Sequence, residues 1–129
     1  MATPEQLMQI GQQVVEMNNQ DKSRECVQTL YAQDCVSAEA MAMPGQDSNE
    51  VKGIDGILAK HDWWEGANEV HSSSAEGPFA FGDDRFCVIY DMDVTDKESG
   101  NRMQMREVAT YYVDSSNKIC REEFAYPLG

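Results

Sequence analysis

The apolar residues of this chain change their period near Asn68. Before that point they recur at helical spacing; after it they alternate. The switch commits the first half to amphipathic helices and the second to strands. Short, turn-rich links between the strands make them antiparallel neighbours. Helices first and a meander after them define the α+β class, here three N-terminal helices covering one face of a strongly curved antiparallel sheet. At 129 residues the chain forms a single domain, 1–129.

Thr3-Pro4-Glu5 starts the first helix with a capping hydroxyl, a proline and an acid near the positive dipole end. Leu7, Ile10, Val14 and Met17 form its apolar stripe. Asp21 can cap a second helix, with Cys26, Val27, Leu30 and Tyr31 on one face. Residues 35–43 read as a short strand carrying Glu39, and residues 44–50 as a loop. Ile54, Ile57, Leu58, His61 and Trp64 mark a third helix, ended by Gly66. Strands follow over residues 69–76, 86–94, 103–113 and 118–126. Gly77-Pro78 bends or ends the first of them, residues 79–81 stay extended, and turns fall at 82–84, 97–101 and 115–117.

The formal net charge of −13 repels phosphate backbones and anionic lipid surfaces, so neither nucleic acid nor membrane is an expected partner. The N-terminal stretch reads as an amphipathic helix rather than a secretion signal, and a cytoplasmic location is expected. Cys26, Cys35, Cys87 and Cys120 are scattered, form no CxxC pair, and are expected to be reduced thiols. Asp91-Met92-Asp93-Val94-Thr95-Asp96 invites a calcium-loop reading. Asp96 stands where that loop needs glycine, however, and Arg102 where it needs a bidentate glutamate. Without HExxH, GxSxG or a glycine-rich phosphate loop, no metal or cofactor is expected.

Several residues could carry acid–base chemistry. Glu107 lies in one strand row with Met105, Ala109 and Tyr111. A carboxylate there is costly to bury unless it is paired, with Arg102, Arg106 or Arg121, or belongs to a site. His71 sits in phase with Glu69 and Ser73, and facing inward it could polarise a carbonyl. His61 shares the apolar stripe of the third helix with Trp64, and the pattern fits plain core and pocket wall alike for either residue. Glu39 and Glu123 pose the same question as Glu107 on two other strands, and Tyr31, Tyr90, Tyr111, Tyr112 and Tyr126 offer phenolic donors or plain packing.

Three segments in order resemble those of nuclear transport factor 2-like proteins: Leu30-Tyr31-Ala32-Gln33-Asp34-Cys35-Val36, Lys52-Gly53-Ile54-Asp55-Gly56-Ile57 and Asn117-Lys118-Ile119-Cys120-Arg121-Glu122-Glu123-Phe124. Trp64, the Glu69-Val70-His71 strand and Glu107-Val108-Ala109-Thr110-Tyr111 resemble the SnoaL-like branch of that superfamily. The resemblance implies a cone-shaped fold with one internal pocket and frequent homodimers paired through the outer sheet face. Relatives include polyketide cyclases, ketosteroid isomerase, scytalone dehydratase and limonene epoxide hydrolase. It therefore implies a metal-free isomerase, cyclase or dehydratase acting on a small hydrophobic carbonyl compound. In this reading Glu107 removes a proton, and His71 with Tyr111 or Tyr31 donates to the oxygen. Two alternatives stay open: a non-catalytic module binding a hydrophobic metabolite, and a dimeric interaction protein with a filled cone.

Overall fold

The computed structural model describes residues 2–42 and 45–127, apart from the side chains of Ala80 and Phe81. Helix α1 (Pro4–Asn19) opens on a capping box in which the Thr3 hydroxyl and the Gln6 side chain satisfy each other's backbone N–H groups. Helix α2 (Ser23–Leu30) leads directly into strand β1 (Tyr31–Ala38), and a three-residue strand, β2 (Glu50–Lys52), pairs back on it. Gly53, at φ 90°, turns the chain from β2 into α3 (Ile54–Ala67). The meander β3 (Asn68–Phe81), β4 (Arg85–Asp96), β5 (Arg102–Val113) and β6 (Ile119–Ala125) completes the chain.

The six strands form one curved sheet in the order β2-β1-β6-β5-β4-β3. The α+β architecture is the expected one, with adjustments, among them β2, whose first residue Glu50 falls in the expected loop. The last strand returns beside β1 in parallel, so the sheet is mixed. Tyr31, expected on the face of the second helix, is instead the first residue of β1. That strand also starts and stops earlier than the sequence pattern implies, while Met43 of the expected strand and Pro44 of the expected loop lie outside the described residues.

The core lies between α1 and the concave sheet face. Leu7, Ile10 and Val14 of α1 pack with Cys26, Val27, Ile57, Phe86, Val88, Ala109 and Ile119, all buried. Gly11 allows this approach, since a Cβ there would sit 2.5 Å from Pro78 Cβ and 3.2 Å from the Phe86 ring. Packing therefore fills one part of the concave face and stops short of the rest, where the polar side chains collect.

Candidate functional site

Strand phase decides which side chains enter the cone. On β5, Met105, Glu107, Ala109 and Tyr111 point inward, while Arg106, Val108, Thr110 and Tyr112 point out. Cross-strand pairing sets Tyr90 opposite Glu107, Met92 opposite Met105, and Phe86 opposite Tyr111. On β6 the inward residues are Glu122 and Phe124. These rows, with the His61 and Trp64 flank of α3, line an open cavity of about 650 Å³.

The Glu107 carboxyl stands on this wall with no hydrogen bond or ion pair to any described residue. Burial pushes its carboxyl up to about 7, helped by the charges of Glu39 and Glu122 and opposed by Lys60. The three arginines that could have neutralised it are engaged on the outer face. Arg102 pairs with Asp93, Arg106 with Asp91, and Arg121 with Glu50 and Glu123. Asp91 and Asp93 of the rejected calcium-loop pattern are thus members of outer-face ion pairs.

Beside Glu107, the Tyr90 and Tyr111 hydroxyls lie 2.6 Å apart. Burial raises both above the ordinary phenol value, so both keep their protons. Tyr111 is fixed by stacking on Phe86, with ring centroids 5.2 Å apart. His61 also lines the cavity, and burial lowers its imidazole pKa, favouring the neutral form. Trp64 is half-buried in the wall, whereas Trp63, also lining the cavity, is 50% exposed.

A second set of groups forms one hydrogen-bonded chain along the wall. Tyr126 donates to Glu39 Oε2 at 3.1 Å, and Lys60 Nζ donates to Glu39 Oε1 at 2.9 Å and to Ser37 Oγ at 2.5 Å. Ser37 donates to Glu122 Oε2 at 2.6 Å, and Tyr31 donates to Glu122 Oε1. Glu122 is buried, and hydroxyl donors satisfy both of its oxygens.

Glu107, Tyr111, Tyr31, Glu39, His61 and Trp64 therefore share one cavity wall. His71 and Glu123 do not. Val70 pairs with Val94 and Ser72 with Asp93, leaving His71 as the extra residue of a bulge. The bulge resets the alternation, so Val70 and Ser73 line the cavity while His71 is exposed, with Nε2 2.7 Å from Thr95 Oγ1. Glu123 lies on the outward phase of β6, where Arg121 at 2.8 Å and Tyr112 at 2.9 Å hold it. The Arg121 guanidinium keeps its carboxyl below the ordinary range.

Sequence reasoning passed over Glu122, Lys60 and Ser37 as site residues, and offered Tyr90 and Tyr126 only as two of five phenolic donors. For Glu122 the available signal was its spacing of two from Phe124, which puts both on one face. Buried Ile119 suggests the opposite phase. Cys120 reconciles them as an extra residue, because Val113 pairs with Ile119 and Tyr112 with Arg121.

Comparison with known proteins agrees with this architecture. The family model described as a SnoaL-like domain matches residues 6–126. A Mesorhizobium loti protein named as a SnoaL-like polyketide cyclase is 34% identical, with a TM-score of 0.83 over 92% of this chain and 97% of that one. A Mycobacterium tuberculosis protein in complex with estradiol-17β-hemisuccinate superimposes at 0.69 with 23% identity, over 98% of this chain and 96% of its own. The Δ5-3-ketosteroid isomerase of a Mycobacterium species does so at 0.67 with 23% identity, over 98% and 95%. No curated protein matches the chain. An α+β cone built from these helices and strands, and matched by the family model over nearly its whole length, places the chain in the SnoaL-like domain family.

Proposed function

We propose that the chain is a metal-free acid–base enzyme, an isomerase, cyclase or dehydratase for a small hydrophobic carbonyl compound. The observation that carries this reading is Glu107: a carboxyl in an apolar row without a partner among the described residues, with a pKa of about 7, on the wall of a 650 Å³ cavity. A base with that proton affinity can accept a proton from carbon and return it at neutral pH. The substrate oxygen that gains charge takes a hydrogen bond from the Tyr90–Tyr111 pair, whose second O–H is not used within the pair. This role passes to Tyr111 and Tyr90 because His71 lies outside the cavity and Tyr31 is committed to Glu122. Trp64, Met92 and Met105 supply the apolar wall. A steroid ligand and a ketosteroid reaction in proteins of the same fold support a flat, apolar ligand of that size.

The test is exchange of solvent deuterium into the carbon next to the carbonyl of flat hydrophobic ketones, followed by NMR. The rate is expected to rise with pH through about 7, as Glu107 ionises. Glu107→Gln is expected to lose roughly a hundredfold or more in rate with little change in ketone affinity. Binding without any exchange in the unaltered protein would instead identify a non-catalytic module for a hydrophobic metabolite.

A further inference from the structure

The polar groups left over in the cavity decide what charge a ligand can carry. Among the described residues lining it, Lys60 is the only lysine or arginine. Its ammonium is already engaged by Glu39 and Ser37, and the Lys60 and Glu39 side chains are only 10% and 16% exposed. Ser37 leads on to Glu122, so the chain of hydrogen bonds holds two carboxylates against one ammonium. Glu107 adds a third carboxyl, and Asp21 and Glu65 add two more on the lining. Among the described residues, no lysine or arginine on this wall lacks a counter-charge.

We infer that Glu39 is a specificity-determining residue: by occupying Lys60 it leaves the cavity without a free cation, so that the site accepts uncharged carbonyl compounds and rejects their carboxylate analogues. The inference rests on the reading of this cavity as a small-molecule site and names the charge class of its ligand. A carboxylate entering the cavity would lose hydration among Glu39, Glu107 and Glu122 without a counter-ion. An uncharged ketone needs only one donor for its oxygen, and the Tyr90–Tyr111 pair has one to spare.

The experiment is calorimetric titration of the full chain with 2-acetylnaphthalene and 2-naphthoate at about pH 8, where the acid is ionised. The two probes share a ring and differ in a methyl ketone against a carboxylate. The ketone is expected to bind at least roughly tenfold more tightly. Glu39→Gln frees the ammonium and should raise naphthoate affinity roughly tenfold while changing ketone affinity by less than about threefold. Adding Lys60→Met to Glu39→Gln should cancel that gain. Equal affinities in the unaltered protein, or no gain in Glu39→Gln, overturn the inference. Should circular dichroism show Glu39→Gln unfolded, Lys60→Met alone decides. Weaker naphthoate binding with ketone binding kept upholds the inference, and stronger naphthoate binding overturns it. Failure of both probes to bind the unaltered protein overturns this inference and the small-molecule reading together. A ketone preference in a protein that shows no deuterium exchange upholds the charge selection and removes only the catalysis.

Discussion

An ionised Glu107 gives up hydration and faces Glu39 and Glu122, so the folded chain holds the proton to about pH 7, against 4.5 for a solvated glutamate. The direction of that shift sets its effect on stability. Between those two values the unfolded chain has released the proton and the folded chain has not, so stability falls as pH rises through this window. Above pH 7 both states are ionised and the loss is complete, about 3 kcal/mol at most. Glu107→Gln removes this linkage. In urea unfolding, the Gln variant is expected to exceed the unaltered protein by about 1–3 kcal/mol at about pH 8, with the gap closing as the pH falls toward 4.5. An equal gap at both ends of the range would mean that Glu107 is solvated in the folded chain. The residue that limits stability is then the one to which the proposed function assigns the proton chemistry.

Elements with one uninterrupted period were legible from sequence, and elements with a bulge were not. The stripe Leu7, Ile10, Val14 gives α1, and the row Ile54, Ile57, Leu58, His61, Trp64 gives α3 with its cavity-facing flank. Strand β5 keeps strict alternation, so Glu107 and Tyr111 share a face as their spacing implies. On β3 and β6 an extra residue, His71 or Cys120, resets the alternation, and a phase read from one end is wrong at the other. That is why His71 and Glu123 were expected inside and Glu122 was not. Lys60 was invisible for another reason, since its partners Glu39 and Ser37 lie more than twenty residues away in sequence. The contact of α1 with the β3 bend is equally non-local and rests on one glycine. Gly11→Ala improves intrinsic helix propensity by about 1 kcal/mol but drives a methyl into Pro78. Overpacking of about 1–3 kcal/mol outweighs the gain, so the variant is expected to melt at a lower temperature by differential scanning calorimetry.

At the scale of the whole molecule, the sheet has a second face that the helices leave uncovered. Phe79 and Val108 point outward from it, 44% and 40% exposed, with Ile89 paired to Val108 between them. Ion-paired rows flank this apolar strip, Arg106–Asp91 and Arg102–Asp93 toward one end and Arg121–Glu123 toward the other. An apolar centre with a charged rim is the anatomy of a protein interface, and a two-fold axis would bring the same strip of a second chain onto it. Homodimerisation through this face is the expectation that the family resemblance carries. Net charge opposes it, because each chain brings −13 to the encounter. Salt screens that repulsion while leaving apolar burial intact, so association should strengthen as salt rises from about 0.01 M to 0.15 M. Light scattering on the eluting protein is expected to give the mass of two chains at the higher salt. Val108→Glu places a like charge at the centre of the strip and is expected to return the mass of one chain, with an unchanged circular dichroism spectrum because the side chain is exposed in the single chain. A mass of one chain for the unaltered protein at every salt concentration would leave the outer face without this role and the cavity a property of the single cone.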